Sequence, residues 1–253
     1  MESSSANEFY PGLVSIIMPC FNGANTIRGS IESVISQSYS NWELLVTDDS
    51  STDNSIEIIE SFSDKRIILL KNTGSRGVAN ARNFSIQHAR GEFIAFLDCD
   101  DMWFSSKLFL QLEALKQSGL NVCHSSYVRF NDDGAELGVV NAKRLVTFSD
   151  MLTGNKIGNL TGIYNCSLLG KFYQKQIGHE DFLMWLNILK TTDSIGLECC
   201  LASYRVSSSS VSSNKFKALS WHYSIIRKEL GFSSVYSFYL LFRYIVGGIL
   251  KRV

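Results

Sequence analysis

The residues best suited to chemistry are carboxylates set where apolar runs end. Asp48 and Asp49 close one run, and Asp98, Asp100 and Asp101 close another as DCDD around Cys99. Crowded acids repel: two unit charges about 4 Å apart cost about 1 kcal/mol in water and about 4 kcal/mol at an effective dielectric of 20. A divalent cation removes that cost, and hard oxygen donors suit Mg2+ or Mn2+. An ion held by one or two carboxylates keeps open positions that diphosphate oxygens fill. The same acids also read as solvated turn residues or helix caps; their recurrence at two strand ends adds weight to the ligand reading and leaves both open. Between them lies NTGSRGVANARN, Asn72 to Asn83, where Gly74 and Gly77 allow close backbone approach and Arg76 and Arg82 bring positive charge to a helix start. Helix N-termini attract anions; the alternative is a loop with a solvated basic helix face. Neither GxxxxGK[ST] nor GxGxxG occurs, so ATPase and dinucleotide readings lose support. At Gly178 to Asp181, GHED, Glu180 and Asp181 open a helix whose Phe182, Trp185, Leu186 and Leu189 form an apolar stripe. Acids there gain about 0.3 to 1 kcal/mol from the helix dipole. A general base accepting a proton from an attacking hydroxyl is the functional alternative, and spacing leaves both open.

Such residues need elements to carry them. Val14 to Pro19 (VSIIMP), Trp42 to Thr47, Arg66 to Lys71 and Phe93 to Leu97 are β-branched or apolar runs of strand length. Ile27, Ile31, Val34 and Ile35, then Ile56, Ile59 and Phe62, recur at helical spacing, with Thr26 and the Ser50, Ser51, Thr52 cluster as N-caps. Strand and helix alternation with continuous apolar strands predicts an α/β fold, its mostly parallel sheet covered on both faces. Ligands bind beyond the carboxyl ends of such strands, where the acids stand. A helix from Lys107 to Gln117 follows, then a mixed region over 120 to 170 with weak strands and turns, then the helix opening at His179. The organisation expected is a first half over 1–105 that carries the strand-end acids, a second half over 106–214 that carries GHED, and a helical tail over 215–253, the last preceded by the flexible link Ser207 to Ser213.

The chain has 253 residues, 45% of them hydrophobic and 19% charged, with 18 Gly and 2 Pro, enough to build a core and incompatible with disorder or collagen. Its 24 basic and 24 acidic groups cancel, but residues 215 to 253 hold seven basic groups and only Glu229, leaving a body of net −6 before a tail of net +6. That asymmetry argues against nucleic acid and for an anionic partner of the tail. The tail interleaves Trp221, Tyr223, Phe232, Tyr236, Phe238, Tyr239, Phe242 and Tyr244 with cations, which suits a membrane interface; packing over the body is the other reading. Val235 to Leu250 is interrupted by Arg243 and falls short of a spanning helix. Six scattered cysteines without a CxxC pair, and an N-terminus without signal-peptide character, lead to the expectation of buried thiols in the cytoplasm.

Four stretches carry a resemblance: VSIIMPCFNGANTIRGSIESVISQSYSNWELLVTDDSSTDNS, GSRGVANARNFSIQHARGEFIAFLDCDDMW, GHEDFLMWLNIL and YRVSSSSVS. Together the chain resembles the family 2 glycosyltransferases, which have the Rossmann-like nucleotide-sugar transferase fold called GT-A. The resemblance implies that Asp49 contacts the base of the nucleotide, Asp98 the ribose region and Asp100 the metal, with Asp181 as catalytic base. It also puts Pro19, Asn22, Arg76, Gly77 and Arg82 among the nucleotide-sugar-binding residues. Arg205 either reaches the diphosphate or packs with Tyr204, and Glu180 either orients the acceptor or caps its helix. An IGNLTGIYNCSLLGK-like segment beside GHEDFLMWL is similar to bacterial enzymes that build O-antigen or capsule units on a lipid carrier. The implied reaction is metal-dependent and inverting, moving one hexose from a UDP-sugar, UDP-Glc or UDP-Gal, to a polyprenyl-diphosphate-linked saccharide at the cytoplasmic leaflet. QxxRW, the mark of processive members, is absent, so one sugar per encounter is expected. A haloacid dehalogenase-type phosphotransferase is disfavoured by Met102 after Asp101 and by the position of DxD beyond the first strand. The alternative of another class is a catalytically silent scaffold in a polysaccharide assembly complex.

Overall fold

Runs of Val, Ile and Leu without polar alternation can be satisfied only by strands covered on both sides, and the sheet is built from them. A computed structural model describes residues 9–72, 74–206 and 215–250. Its first half alternates β1 (Tyr10–Cys20), α1 (Ile27–Ile35), β2 (Trp42–Asp48), α2 (Ser55–Glu60), β3 (Ile67–Lys71), α3 (Val78–His88) and β4 (Gly91–Phe96). The second half adds β5 (Met102–Trp103), α4 (Lys107–Ser118), β6 (Val122–Phe130), β7 (Glu136–Val140), β8 (Leu145–Val146), α5 (Phe148–Met151), β9 (Ile163–Asn165), α6 (Cys166–Leu169), α7 (Glu180–Ile188) and β10 (Ser194–Arg205). α8 (Lys215–Ser224), a π-helical turn at Ile225–Glu229 and α9 (Ser234–Leu250) complete the described chain.

All strands join one sheet of order β3-β2-β1-β4-β9-β6-β10-β5, with β7 on β6 and β8 on β10. β3, β2, β1 and β4 are parallel neighbours. β9 runs antiparallel to both β4 and β6, and β6 runs parallel to β10, so the long strands of both halves point the same way. The mostly parallel sheet of a GT-A fold is therefore present. Strand alternation divides the core: Ile16 and Met18 pack with Ile27, Ile31 and Leu108 on one face, while Ile17 packs with Ile86, Trp185, Ile225 and Leu240 on the other. The C-terminal helices thus form part of one core layer. Within it Phe96, Tyr164 and Trp185 meet with ring centroids 5.8 to 6.5 Å apart.

Several local expectations are corrected. Thr26 does precede α1, but its hydroxyl donates to the Gly23 carbonyl instead of capping the helix. The helix after β2 begins at Ser55 behind Asn54, and Ser51 instead accepts the Asn22 N–H, tying two loops together. Only Cys20, Cys123 and Cys166 are buried; Cys99 and Cys200 are half-buried and Cys199 is exposed, because it faces outward from β10. The weakly patterned stretch 120–170 resolves into β6 to β9 with short helical turns. The tail aromatics divide, Trp221, Tyr223, Phe232 and Tyr244 being half-buried while Tyr236, Phe238, Tyr239 and Phe242 are exposed. The link Ser207 to Ser213 and the basic pair Lys251 and Arg252 lie outside the described residues.

Candidate active site

The parallel strands end on one cleft of about 1110 Å³. β1 delivers Pro19 and its following loop Asn22, β2 is followed by Asp49, β4 by Asp98 and Asp100, and β10 ends on Arg205; all line the cleft with Arg76 and Gly77. Asp132, at the β6–β7 turn, also lines it, a residue that polar turn composition could not distinguish from solvated surface.

The adjacent acids after β2 do different work, because successive side chains point to opposite sides. Asp48 accepts the N–H groups of Ser50 and Ser51 at 3.1 and 3.3 Å, fixing its own turn. Asp49 accepts from Asn72 Nδ2 at 2.7 Å and from the Gly77 N–H at 2.8 Å, so the Gly-containing loop is tied to the cleft floor. Gly77 has φ +130°, and a Cβ there would stand 2.6 Å from Gln176 Nε2. At that φ any other residue is strained, and Gln176 would have to shift to make room for it.

Asp98 binds Arg82 through both oxygens, at 2.6 and 2.8 Å. Arg82 is buried, gives a second bond to Gln174 Oε1 at 3.1 Å, and is not among the cleft-lining residues. Its charge reaches the cleft through Asp98. Asp101 is buried and accepts the Arg205 N–H at 2.9 Å; burial, then the Asp98 and Asp100 charges, push its carboxyl well up. It anchors the motif instead of facing the cleft. Burial first and Asp98 second also raise the Asp100 carboxyl, a strain on its negative charge that a hard cation relieves. Among the described residues no group of three or more His, Cys, Asp or Glu is arranged to hold a metal. A cleft-lining carboxylate such as Asp100 would suit an ion that completes its shell on diphosphate oxygens. Arg205 donates from Nε to the Asp100 carbonyl at 3.2 Å and from Nη1 to Asp132 at 3.3 Å, its guanidinium over the Phe130 ring. Tyr204 packs edge-on against Tyr127, while Arg205 lines the cleft.

GHED opens α7 as expected. His179 precedes the helix with φ +53°, and Gly178, with φ +73°, has the Trp221 ring of α8 where a Cβ would go. Glu180 turns back to accept the Gly178 N–H at 3.2 Å, a bond that lies ahead of the helix and leaves its first amides uncapped by a side chain. Asp181 does not line the cleft but is close enough to Arg82 and Asp98 for their charges to act on it. Burial pushes its carboxyl up, against the opposing pull of Arg82 and His179. Its Oδ2 accepts from Asn155 Nδ2 at 3.0 Å, and Asn155 Oδ1 accepts the Ile157 N–H at 3.1 Å, which fixes the amide's orientation. Nothing in the sequence singled out Asn155 beyond its place in a Gly-Asn turn. The irregular segment preceding GHED lies along α3, where Asn83 and Gln174 exchange two bonds of 2.7 Å. That contact holds the approach to α7 against α3, whose start at Gly77 and Val78 lines the cleft.

Residues 15–173 match the model of glycosyl transferase family 2. Over 242 residues, 95% of each chain, the sequence is 40% identical to UDP-Glc:alpha-D-GlcNAc-diphosphoundecaprenol beta-1,3-glucosyltransferase WfgD of Escherichia coli. The fold is similar to that of S. aureus TarS 1-349 in complex with UDP-GlcNAc, with TM-score 0.70 at 20% identity over 92% of this chain and 71% of that one. It is also similar to mannosyltransferase PcManGT from Pyrobaculum calidifontis in complex with GDP-Man and Mn2+, with TM-score 0.65 at 19% identity over 91% of this chain and 68% of that one.

Proposed function

The chain belongs to glycosyl transferase family 2 and is a glycosyltransferase, and from that premise we propose that it moves one hexose from a UDP-sugar to a hydroxyl of a polyprenyl-diphosphate-linked saccharide, with inversion. UDP-Glc is the favoured donor over UDP-Gal, because the relative that matches 95% of this chain is named for UDP-Glc and for a GlcNAc-diphosphoundecaprenol acceptor. The observation that carries the reading is the convergence of Asp49, Asp100 and Arg205 from separate strands on one cleft, with the raised carboxyl of Asp181 beside it.

In this reading Asp49, with Asn72 and Gly77, meets the nucleotide base, Asp98 the ribose, and Arg205 the diphosphate. The acceptor oxygen attacks the anomeric carbon from the face opposite UDP, Asp181 takes the hydroxyl proton, and the bond to diphosphate breaks with its electron pair leaving on UDP. A raised carboxyl is a better base than an ordinary one, provided it is ionised at working pH. A Mn2+ or Mg2+ ion held by Asp100 supplies positive charge against that developing on the leaving diphosphate. The workplace is the cytoplasmic face of the membrane carrying the polyprenyl acceptor, in polysaccharide assembly of the O-antigen or capsule type. The net negative charge of residues 1–214 argues against a nucleic-acid partner for the body.

The test is UDP release from a panel of UDP-sugars, with Mn2+ and a synthetic lipid-diphosphate GlcNAc acceptor, and the product's anomeric configuration read by NMR. A β-linked product from UDP-α-glucose, lost in Asp100→Ala and Asp181→Asn, is expected. An α-linked product rejects inversion, and no turnover with any donor and acceptor returns the protein to the scaffold reading.

A further inference from the structure

α9 has two apolar faces and the body covers one. Ser237 and Leu240 are buried, and Tyr244 stacks at 4.3 Å on His222, which stacks at 5.2 Å on Phe182 of α7. The outer face carries Val235, Phe238, Tyr239, Phe242, Ile245 and Val246, all exposed, Val235 by 82% and Phe242 by 65%. At about 100° per residue these six project within an arc of about 120°, the width of a stripe meant to be buried. A contiguous apolar patch on a soluble surface marks an interaction site.

The charge around the stripe selects the occupant. α9 holds no acidic residue, Arg243 flanks the arc, and Arg227 and Lys228 are exposed in the turn before it. The whole segment 215–253 carries seven cations against one carboxylate. Apolar anchors edged by cations are complementary to an anionic bilayer surface, with the helix lying in the headgroup plane. Among the described residues no helix is long and apolar enough to cross a membrane, which fits a helix that lies on one.

We propose that the outer face of α9 docks on the anionic surface of a lipid bilayer and sets the distance between that surface and the catalytic base. The second clause rests on the proposed function, since it assumes an acceptor whose diphosphate sits at headgroup level. On the inner side of α9 the Tyr244 ring occupies the space beside Gly154, whose Cβ would lie 2.9 Å from it. The next residue, Asn155, is the donor to Asp181. One helix thickness, about 10–12 Å, therefore separates the bilayer-facing stripe from the loop that holds the base. A saccharide on a membrane-embedded carrier can span that gap without leaving the membrane.

The experiment uses the full chain and compares it with Phe238→Glu/Phe242→Glu, which keeps Ser237, Leu240 and Tyr244 on the body and gives up one ring contact, that of Phe238 with Tyr223 of α8 at 4.9 Å. Co-sedimentation is measured with phosphatidylglycerol/phosphatidylethanolamine vesicles and with phosphatidylcholine vesicles. The expected result is binding to the anionic vesicles, weakened on phosphatidylcholine and by salt, and reduced about tenfold or more in the variant. Transfer to a water-soluble diphosphate-linked saccharide should be equal in the two proteins, and transfer to vesicle-borne acceptor should fall in the variant. Equal sedimentation of both proteins, or none by either, overturns the proposal. So does a dimer in analytical ultracentrifugation that the variant abolishes without any vesicle binding, which would assign the stripe to a second copy. Vesicle binding is read without turnover, so an inactive protein that still binds anionic vesicles through this stripe leaves the docking face standing and rejects the transferase reading alone.

Discussion

At the scale of single residues, adjacent side chains of the same type part company. Asp98 is bound to Arg82, Asp100 lines the cleft, and Asp101 is buried on the Arg205 amide. The Asn155 bond to Asp181 has a measurable consequence, since an N–H donor favours a carboxylate's charged form. Asn155→Ala should raise the Asp181 pKa further, so that the acid limb of kcat/KM moves to higher pH. It should lower kcat about tenfold while leaving the donor KM within about twofold; an unmoved acid limb would show that the bond does not orient the base. Lys107 is a second case. It is fully buried, donates to Gln111 at 2.6 Å, lies over the Trp103 ring, and burial lowers its pKa to about 7. The unfolded chain binds the proton up to its ordinary value of 10.5, so between about 7 and 10.5 the unfolded state holds more protons and stability rises with pH. That contribution is fully present above the unfolded value and lost as pH falls through about 7. Lys107→Met should flatten the denaturation free energy across this window, where the native lysine contributes a rise on the order of 4 kcal/mol.

At the scale of elements, two helix starts hold the site and each depends on a glycine pressed by a neighbouring segment. α3 begins behind Gly77, whose N–H serves Asp49 and whose missing Cβ leaves room for Gln176. α7 begins behind Gly178 and His179, against the Trp221 ring. Gly77→Ala forces a side chain into a backbone region that costs about 1–3 kcal/mol, and the strain falls on the donor side of the cleft. Its donor KM should rise about tenfold or more with Tm changed by a few degrees, read by UDP titration calorimetry and thermal denaturation. The apolar periodicity over α1, α2, α4 and α7 was enough to locate these helices within a residue or two, while α3 was legible only as a helix start near Arg76 and Arg82. Their caps were less legible, because Ser and Thr hydroxyls near a helix start have several carbonyl and amide partners within reach, and which one they take depends on a loop distant in sequence.

For the molecule as a whole, the C-terminal helices are part of the body and an outward stripe at once. Ile225, Ile226 and Leu240 belong to the same core as Trp185 and Phe96, and each such side chain contributes about 2–5 kcal/mol when removed from a packed site. Truncation after residue 214 should therefore lower Tm steeply and abolish transfer even to a water-soluble acceptor, unlike Phe238→Glu/Phe242→Glu. A truncated protein that melts normally would show the helices to be an appendage. The parallel α/β sheet, the strand ends bearing Asp49 and Asp100, and the helix start bearing Asp181 were determined by the sequence itself, since hydrophobic period and chain order are local quantities. The tertiary structure alone decided that Arg82 serves Asp98, that Asn155 holds Asp181, that Asp132 joins the cleft, and that one face of α9 is covered while the other is bare. Those outcomes turn on which distant segments meet, and contact between residues tens of positions apart depends on the packing of both sheet faces, which no local pattern encodes.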